Sequence, residues 1–187
     1  MVLAGRVRVA HASVDGGQTV GRIVRAGGLF GEAVLGGRTP ASESAVAMDD
    51  VTLMAWTREE VERQIEREPK LGLALCRSIA RQGLELQERI ETMAVYKTPE
   101  RVMLALLRLA ADLGTEMPDG AVRIASLTHH TLAEYVGTSR EVVTFQMNRL
   151  RRLGMIRYSR QFIDVHPKPL RAALDQGARP AARTHQS

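Results

Sequence analysis

The sequence predicts an α+β chain in three successive parts. These are a β-roll (jelly-roll-like) amino-terminal part, a long helix with a heptad seam, and a carboxy-terminal winged helix-turn-helix. Three observations carry this. Short apolar runs broken by glycine turns fill the first third, the pattern of a jelly-roll or sandwich. From Thr57 onward the apolar period lengthens from two to three and four, which is helical. Residues 132–153, LAEYVGTSREVVTFQMNRLRRL, place a glycine between two amphipathic segments, as a sharp inter-helix turn needs.

Taken in order, Val7 and Val9 alternate with Arg6 and Arg8 as in a half-buried strand. Asp15-Gly16-Gly17 is a hairpin turn signal, Ile23-Val24 starts another strand, and Ala26-Gly27-Gly28 turns the chain again. Ser44 to Ala47 and Val51 to Trp56 supply two more strand-like pieces around Met48-Asp49-Asp50. Thr57 and Glu60 have capping-box spacing and open a short helix ending near Pro69. A long helix follows to about Tyr96. In it Cys76, Ile79, Gly83, Leu86, Ile90 and Met93 recur at three- and four-residue steps, with Arg77, Arg81, Glu85, Glu88 and Glu91 elsewhere on the cylinder. That row is a dimerisation seam between two copies. The other use for such a row is packing on the chain's own β-part, and Leu73, Leu75 and Leu84, off the seam, can also serve that end.

Pro99 suits the first turn of a helix running to about Leu113, cored by Val102, Leu104, Leu106, Leu107 and Leu109. Gly114 to Gly120 is a loop containing Pro118-Asp119-Gly120, and 122–125 reads as a short strand. In the helix-turn-helix, Leu132, Ala133 and Val136 precede the Gly137 turn, and Thr138 with Glu141 marks a capping box for the second helix. Val143, Met147, Leu150 and Leu153 fall on its inner side. Arg140, Glu141, Thr144, Phe145, Asn148, Arg149, Arg151 and Arg152 face outward, where side chains can enter a major groove. Gly154 closes the helix, and 155–157 with 162–165 form a hairpin, the wing. A short helix follows Pro169. The expected domains are 1–56, 57–97 and 98–175, with a disordered tail at 176–187.

Charge divides along the same line. The chain has 187 residues and a net charge of +5. Residues 1–96 carry 12 Lys/Arg against 13 Asp/Glu, and residues 97–187 carry 14 against 8. A basic second half suits a polyanionic partner. The single cysteine, Cys76, excludes an internal disulfide and a four-cysteine cluster. No apolar run approaches membrane-spanning length, so a cytoplasmic protein with no membrane partner is expected. There is no phosphate loop, no zinc-ligand spacing and no nucleophile–base set. The chain is therefore expected to be no enzyme and to hold no metal or cofactor. His11 is the only histidine before residue 129, and neighbouring His129 and His130 point apart on a helix.

The ordered set of motifs resembles the CRP/FNR family of bacterial transcription regulators over almost the whole chain. The matching pieces are GRVRV at 5–9, LFGE at 29–32, AVAMDDVTLMAW at 45–56, KTPERVMLALLRLA at 97–110 and LAEYVGTSREVVTFQMNRLRRLGMI at 132–156. The resemblance implies a sensor β-roll and a homodimer reading an inverted repeat in double-stranded DNA. It also implies an RNA polymerase contact through the loop from Gly114 to Gly120, and hence activation. Family members carry further strands ahead of the one matched by 2–9, so an amino-terminally extended chain is expected to be more soluble and more stable. The effector pocket reads as vestigial. Gly31 and Glu32 match the ribose-holding positions, but the phosphate-binding Arg-Ser pair is replaced by Ala41-Ser42-Glu43-Ser44, and Arg38 would have to move to help. Leu86 and Gln87 stand where base-binding hydroxyls are usual. No useful cAMP binding is expected. Phe145 replaces a second reading arginine and can pack on a thymine methyl or rest on the domain surface. Glu141 either reads a cytosine or serves the cap. Arg140, Glu141, Thr144 and Phe145 are the base-reading set. Thr138, Ser139, Asn148, Arg149, Arg151, Arg152, Arg157 and Arg160 are the phosphate set. The alternative is a winged-helix protein–protein module, which leaves the arginine face unexplained.

Overall fold

The computed structural model describes residues 1–12, 18–37, 43–125 and 127–177. The chain divides into two compact units, Met1–Val95 and Tyr96–Ser187. In the first, β2 (Arg6–Ala12) is central to an antiparallel sheet between β3 (Gln18–Arg25) and β4 (Glu43–Ala47), while β1 (Val2–Ala4) pairs with β5 (Thr52–Leu53). Alternation puts Val7, Val9 and Val24 on the inner face with Val2, and Phe30 and Val51 pack against them. Gly5 is left-handed (φ 78°), and a Cβ there would collide with the Asp50 carbonyl. Asp49 accepts from the Arg6 N–H (2.6 Å) and Nε (2.7 Å), pinning that corner. The strand expected over 51–56 contracts to two residues, and a 3-10 turn, Glu32–Gly36, was not foreseen. The expected Asp15-Gly16-Gly17 turn lies outside the described residues.

α1 (Arg58–Arg67) starts on a complete capping box. Glu60 N–H donates to the Thr57 hydroxyl (3.2 Å), and Thr57 N–H donates to the Glu60 carboxylate (2.7 Å). α2 (Pro69–Val95) runs 27 residues. Its sheet-facing side is held by polar bonds. Gln82 donates to Glu32 (2.5 Å), and Arg89 donates to the carbonyls of Val20 (3.0 Å) and Gly21. Leu75 is half-buried, but Leu73 and Leu84 are exposed. They do not cover the β-part as suggested, because they point well round the cylinder from the bonded side.

The second unit contains α3 (Thr98–Leu113), β6 (Thr115–Glu116), β7 (Val122–Ala125), α4 (His129–Val136), α5 (Arg140–Arg152), β8 (Ile156–Tyr158), β9 (Phe162–Val165) and α6 (Pro167–Gly177). The sheet order is β6-β7-β9-β8, antiparallel throughout. β6 is an addition to the expected 114–120 loop. α6 begins two residues before Pro169, on Pro167, whose missing N–H costs nothing in a first turn. Leu106, Leu109, Ile124, Leu132, Met147, Ile156, Ile163 and Leu170 fill the core. Of the expected tail at 176–187, residues 176 and 177 complete α6 and the rest lies outside the described residues. Among the described residues no helix is long and apolar enough to cross a membrane.

Candidate nucleic-acid interface

The turn between α4 and α5 is set by Gly137 at φ 74°, ψ 53°. The N–H groups of Gly137 (2.9 Å) and Thr138 (3.0 Å) both return to the Ala133 carbonyl. Thr138 is thereby spent on ending α4, and Ser139 is the cap of α5, accepting from Val142 N–H at 3.3 Å. The expected Thr138–Glu141 capping box is not formed. Glu141 instead lies exposed in the first turn. Its own backbone N–H and then the Ser139 hydroxyl hold its carboxyl below the usual carboxylate range. Val143, Met147 and Leu150 are buried as expected, together with Gln146. Leu153 is exposed, a correction that follows from α5 ending at Arg152 and leaving Leu153 past the last regular turn.

The outward side of α5 carries Arg140, Glu141, Phe145, Arg149, Arg151 and Arg152, all exposed. Two of the outward candidates are tied down. The Asn148 carboxamide oxygen accepts from the Tyr158 hydroxyl (3.1 Å). Thr144 donates its hydroxyl proton to the Arg140 carbonyl (2.8 Å) and stands 2.9 Å from His129 Nδ1. Since Thr144 has one proton to give, His129 is the donor in their bond. The His129 ring meets Tyr158 edge-on at 5.7 Å. Burial, then the Arg140 charge, holds its pKa below the ordinary imidazole value. His130 turns the other way, 3.3 Å from Glu134.

The wing, β8 and β9, is closed by Ser159, whose hydroxyl accepts from Gln161 N–H (3.1 Å) and Phe162 N–H (3.3 Å). Arg160 is exposed at its tip, and the Arg151 guanidinium lies 5.2 Å over the Tyr158 ring. Arg157 is differently placed from the free phosphate ligand expected. It binds Asp119 (2.5 Å) and Asp164 (3.3 Å). Asp164, 1 % exposed, takes a two-pronged bond from Arg123 (2.6 and 2.8 Å). The Arg123 hydrogen bonds outweigh burial and hold its carboxyl below the usual range.

In the first unit, the candidate pocket residue Gly31 is left-handed (φ 86°) and leads into Glu32. Burial alone would raise the Glu32 pKa. Hydrogen bonds from Arg22 (2.7 Å), its own backbone and Gln82 (2.5 Å), with the Arg22 charge, lower it instead. Both carboxylate oxygens are thus already bonded within the chain. Arg38, Ala41 and Ser42 lie outside the described residues. On α2, Cys76, Ile79, Leu86, Ile90 and Met93 are exposed in one row that includes Gly83. Sequence reading missed Arg22, Gln82 and His129 as parts of these sites. Their partners lie 10, 50 and 15 residues away, at spacings that form no motif.

Helix, left-handed turn, capped second helix and wing, with cations along the outer edge, define a winged helix-turn-helix DNA-binding protein. Comparison with known proteins agrees. Residues 100–172 match the Crp-like helix-turn-helix domain, and residues 1–68 match the cyclic nucleotide-binding domain. The chain is 30 % identical over 167 residues to the global nitrogen regulator of Synechocystis sp., covering 88 % of this chain and 74 % of that protein. It is 29 % identical over 170 residues to the cyclic AMP receptor protein of Thermus thermophilus, covering 91 % and 76 %. The crystal structure of a CRP/FNR-family transcriptional regulator from Thermus thermophilus superposes with a TM-score of 0.74 at 32 % identity, covering 93 % of this chain and 86 % of that one. The chain belongs to the CRP/FNR family and is a DNA-binding transcription regulator.

Proposed function

We propose that this regulator binds an inverted-repeat promoter site as a homodimer in the cytoplasm, activates transcription, and does so without cAMP. The observation that carries the reading is the pairing of two exposed surfaces: the apolar row on α2 and the arginine-edged outer side of α5. An apolar row of this length left uncovered on a helix is surface that association removes from water. Arg140 and Glu141, at the start of α5, read base edges; Phe145 contacts a methyl. Thr144 contributes mainly by position, since its hydroxyl is engaged. Arg149, Arg151, Arg152 and Arg160 hold phosphates, with Thr138 and Ser139 at the start of α5 beside them; the Ser139 hydroxyl, Asn148 and Arg157 already have partners in the chain and stand at the margin. The loop from Gly114 to Gly120 is the surface for RNA polymerase.

Independence from cAMP is supported by Glu32. A ribose hydroxyl would have to share that carboxylate with Arg22 and Gln82, each already bonded to one of its oxygens, and Leu86 can make no hydrogen bond to a base. These residues do not fit the nucleotide.

Selection of bound DNA from a random pool by the full chain, followed by a salt titration, tests the proposal. A twofold-symmetric consensus is expected. Six or more phosphate contacts per dimer give a slope of log K on log salt of roughly −5 or steeper. Absence of any consensus, with a shallow slope, would favour the protein–protein module. Micromolar cAMP binding by calorimetry would overturn the effector-free reading.

A further inference from the structure

Two apolar side chains on the outer edge of α5 are left uncovered by the rest of the unit: Phe145, 60 % exposed, and Val142, 36 % exposed. Residues three apart on a helix are lateral neighbours, so they make one continuous apolar step. Thr144, beside them, offers no free proton, because it donates to the Arg140 carbonyl while His129 occupies an acceptor site. Polar reading along α5 is therefore concentrated at Arg140 and Glu141, and the following turn is apolar. Arg149 and Arg152, four and seven residues on from Phe145 and both exposed, continue the same side of the helix, which suits a polyanion rather than an apolar protein surface.

The apolar group that a major groove offers is the C5-methyl of a pyrimidine. Thymine carries it and cytosine does not. We propose that Val142 and Phe145 form a subsite for a pyrimidine C5-methyl group. The operator half-site then carries thymine opposite this step, and a cytosine placed there binds better once methylated at C5. The inference rests on α5 being the helix that enters the groove. Covering one methyl is worth about fourfold in affinity.

The test uses the full chain and the operator selected as above. Each thymine is replaced singly by deoxyuridine, which removes only the methyl, and Kd is read by fluorescence anisotropy. One position per half-site is expected to lose about fourfold. That loss should vanish in Phe145→Ala, a change at an exposed position whose folding is checked by its melting curve. Phe145→Arg should exchange thymine for guanine at the same position in a repeated selection. Uracil tolerated at every position of a well-selected site would overturn the methyl subsite while leaving the DNA-binding reading intact. A uracil penalty persisting unchanged in Phe145→Ala would overturn the assignment to this step. A chain that selects no sequence would overturn both.

Discussion

Ile90 lies in the apolar row of α2 and is 68 % exposed in the single chain. Truncation to alanine removes three carbons, worth about 2.4 kcal/mol if wholly buried by association. Scaled by the exposed fraction, the loss is about 1.6 kcal/mol per chain. A twofold interface uses the same patch on both subunits, so Ile90→Ala costs about 3 kcal/mol of dimer stability, on the order of a hundredfold in Kd. Sedimentation equilibrium reads this directly. Leu84 is the matched control: it is 63 % exposed but stands about 130° round the helix from the middle of the row. Leu84→Ala should leave the dimer constant within a factor of about two. An Ile90→Ala chain that dimerises as well as the parent, or a Leu84→Ala chain that weakens equally, would refute the seam.

Arg140→Ala should cost about 1–3 kcal/mol in operator binding and relax sequence preference, whereas Arg152→Ala should weaken all sequences alike and flatten the salt slope; competition gel shifts separate the two, and the reverse pattern would exchange their roles. Asp164→Asn keeps the shape of the buried group but weakens its bonds to Arg123, a loss of about 2 kcal/mol seen as a lower melting temperature, and unchanged melting would rank the pair with ion pairs of no net worth. Because burial and Arg140 lower the His129 pKa in the folded state, the unfolded chain binds the proton more readily. Stability is then full above the unfolded value of about 6.5 and is lost as the pH falls through the lower folded value. Thermal melts at about pH 7.5 and 5.5 should differ less in His129→Asn than in the parent, and equal pH sensitivity would show that another group is responsible.

Elements governed by local rules were legible in the sequence. The Thr57–Glu60 box starts α1 as its spacing says, and Gly137 turns where a left-handed residue was needed. The error at Thr138 is instructive, since Thr138 and Ser139 are both competent caps by type. Their roles were decided by the Ala133 carbonyl, which claims the Thr138 N–H for the end of α4. A one-residue shift in the start of α5 then takes Glu141 out of the capping-box position, while its early end exposes Leu153. The polar networks were illegible for a different reason. Arg123 and Asp164 meet because β7 and β9 pair in one register, and Gln82 reaches Glu32 because the fold brings α2 to the 3-10 turn. Such bonds depend on tertiary placement, which no window of sequence encodes. The exposed row of α2 was legible as a period; that it remains uncovered within its own unit needed coordinates.

The fastening of α2 to its sheet has a mechanical consequence. Greasy surfaces let a rod slip a fraction of a turn with little penalty, but a hydrogen bond tolerates little misalignment. Gln82 and Arg89 act like two keys in a shaft, one seated on the carboxylate of the 3-10 turn and the other on the main chain of β3. Any displacement of that turn against β3 therefore acts on the rod at two points along one side, and Ile79, Leu86 and Ile90 are carried with it.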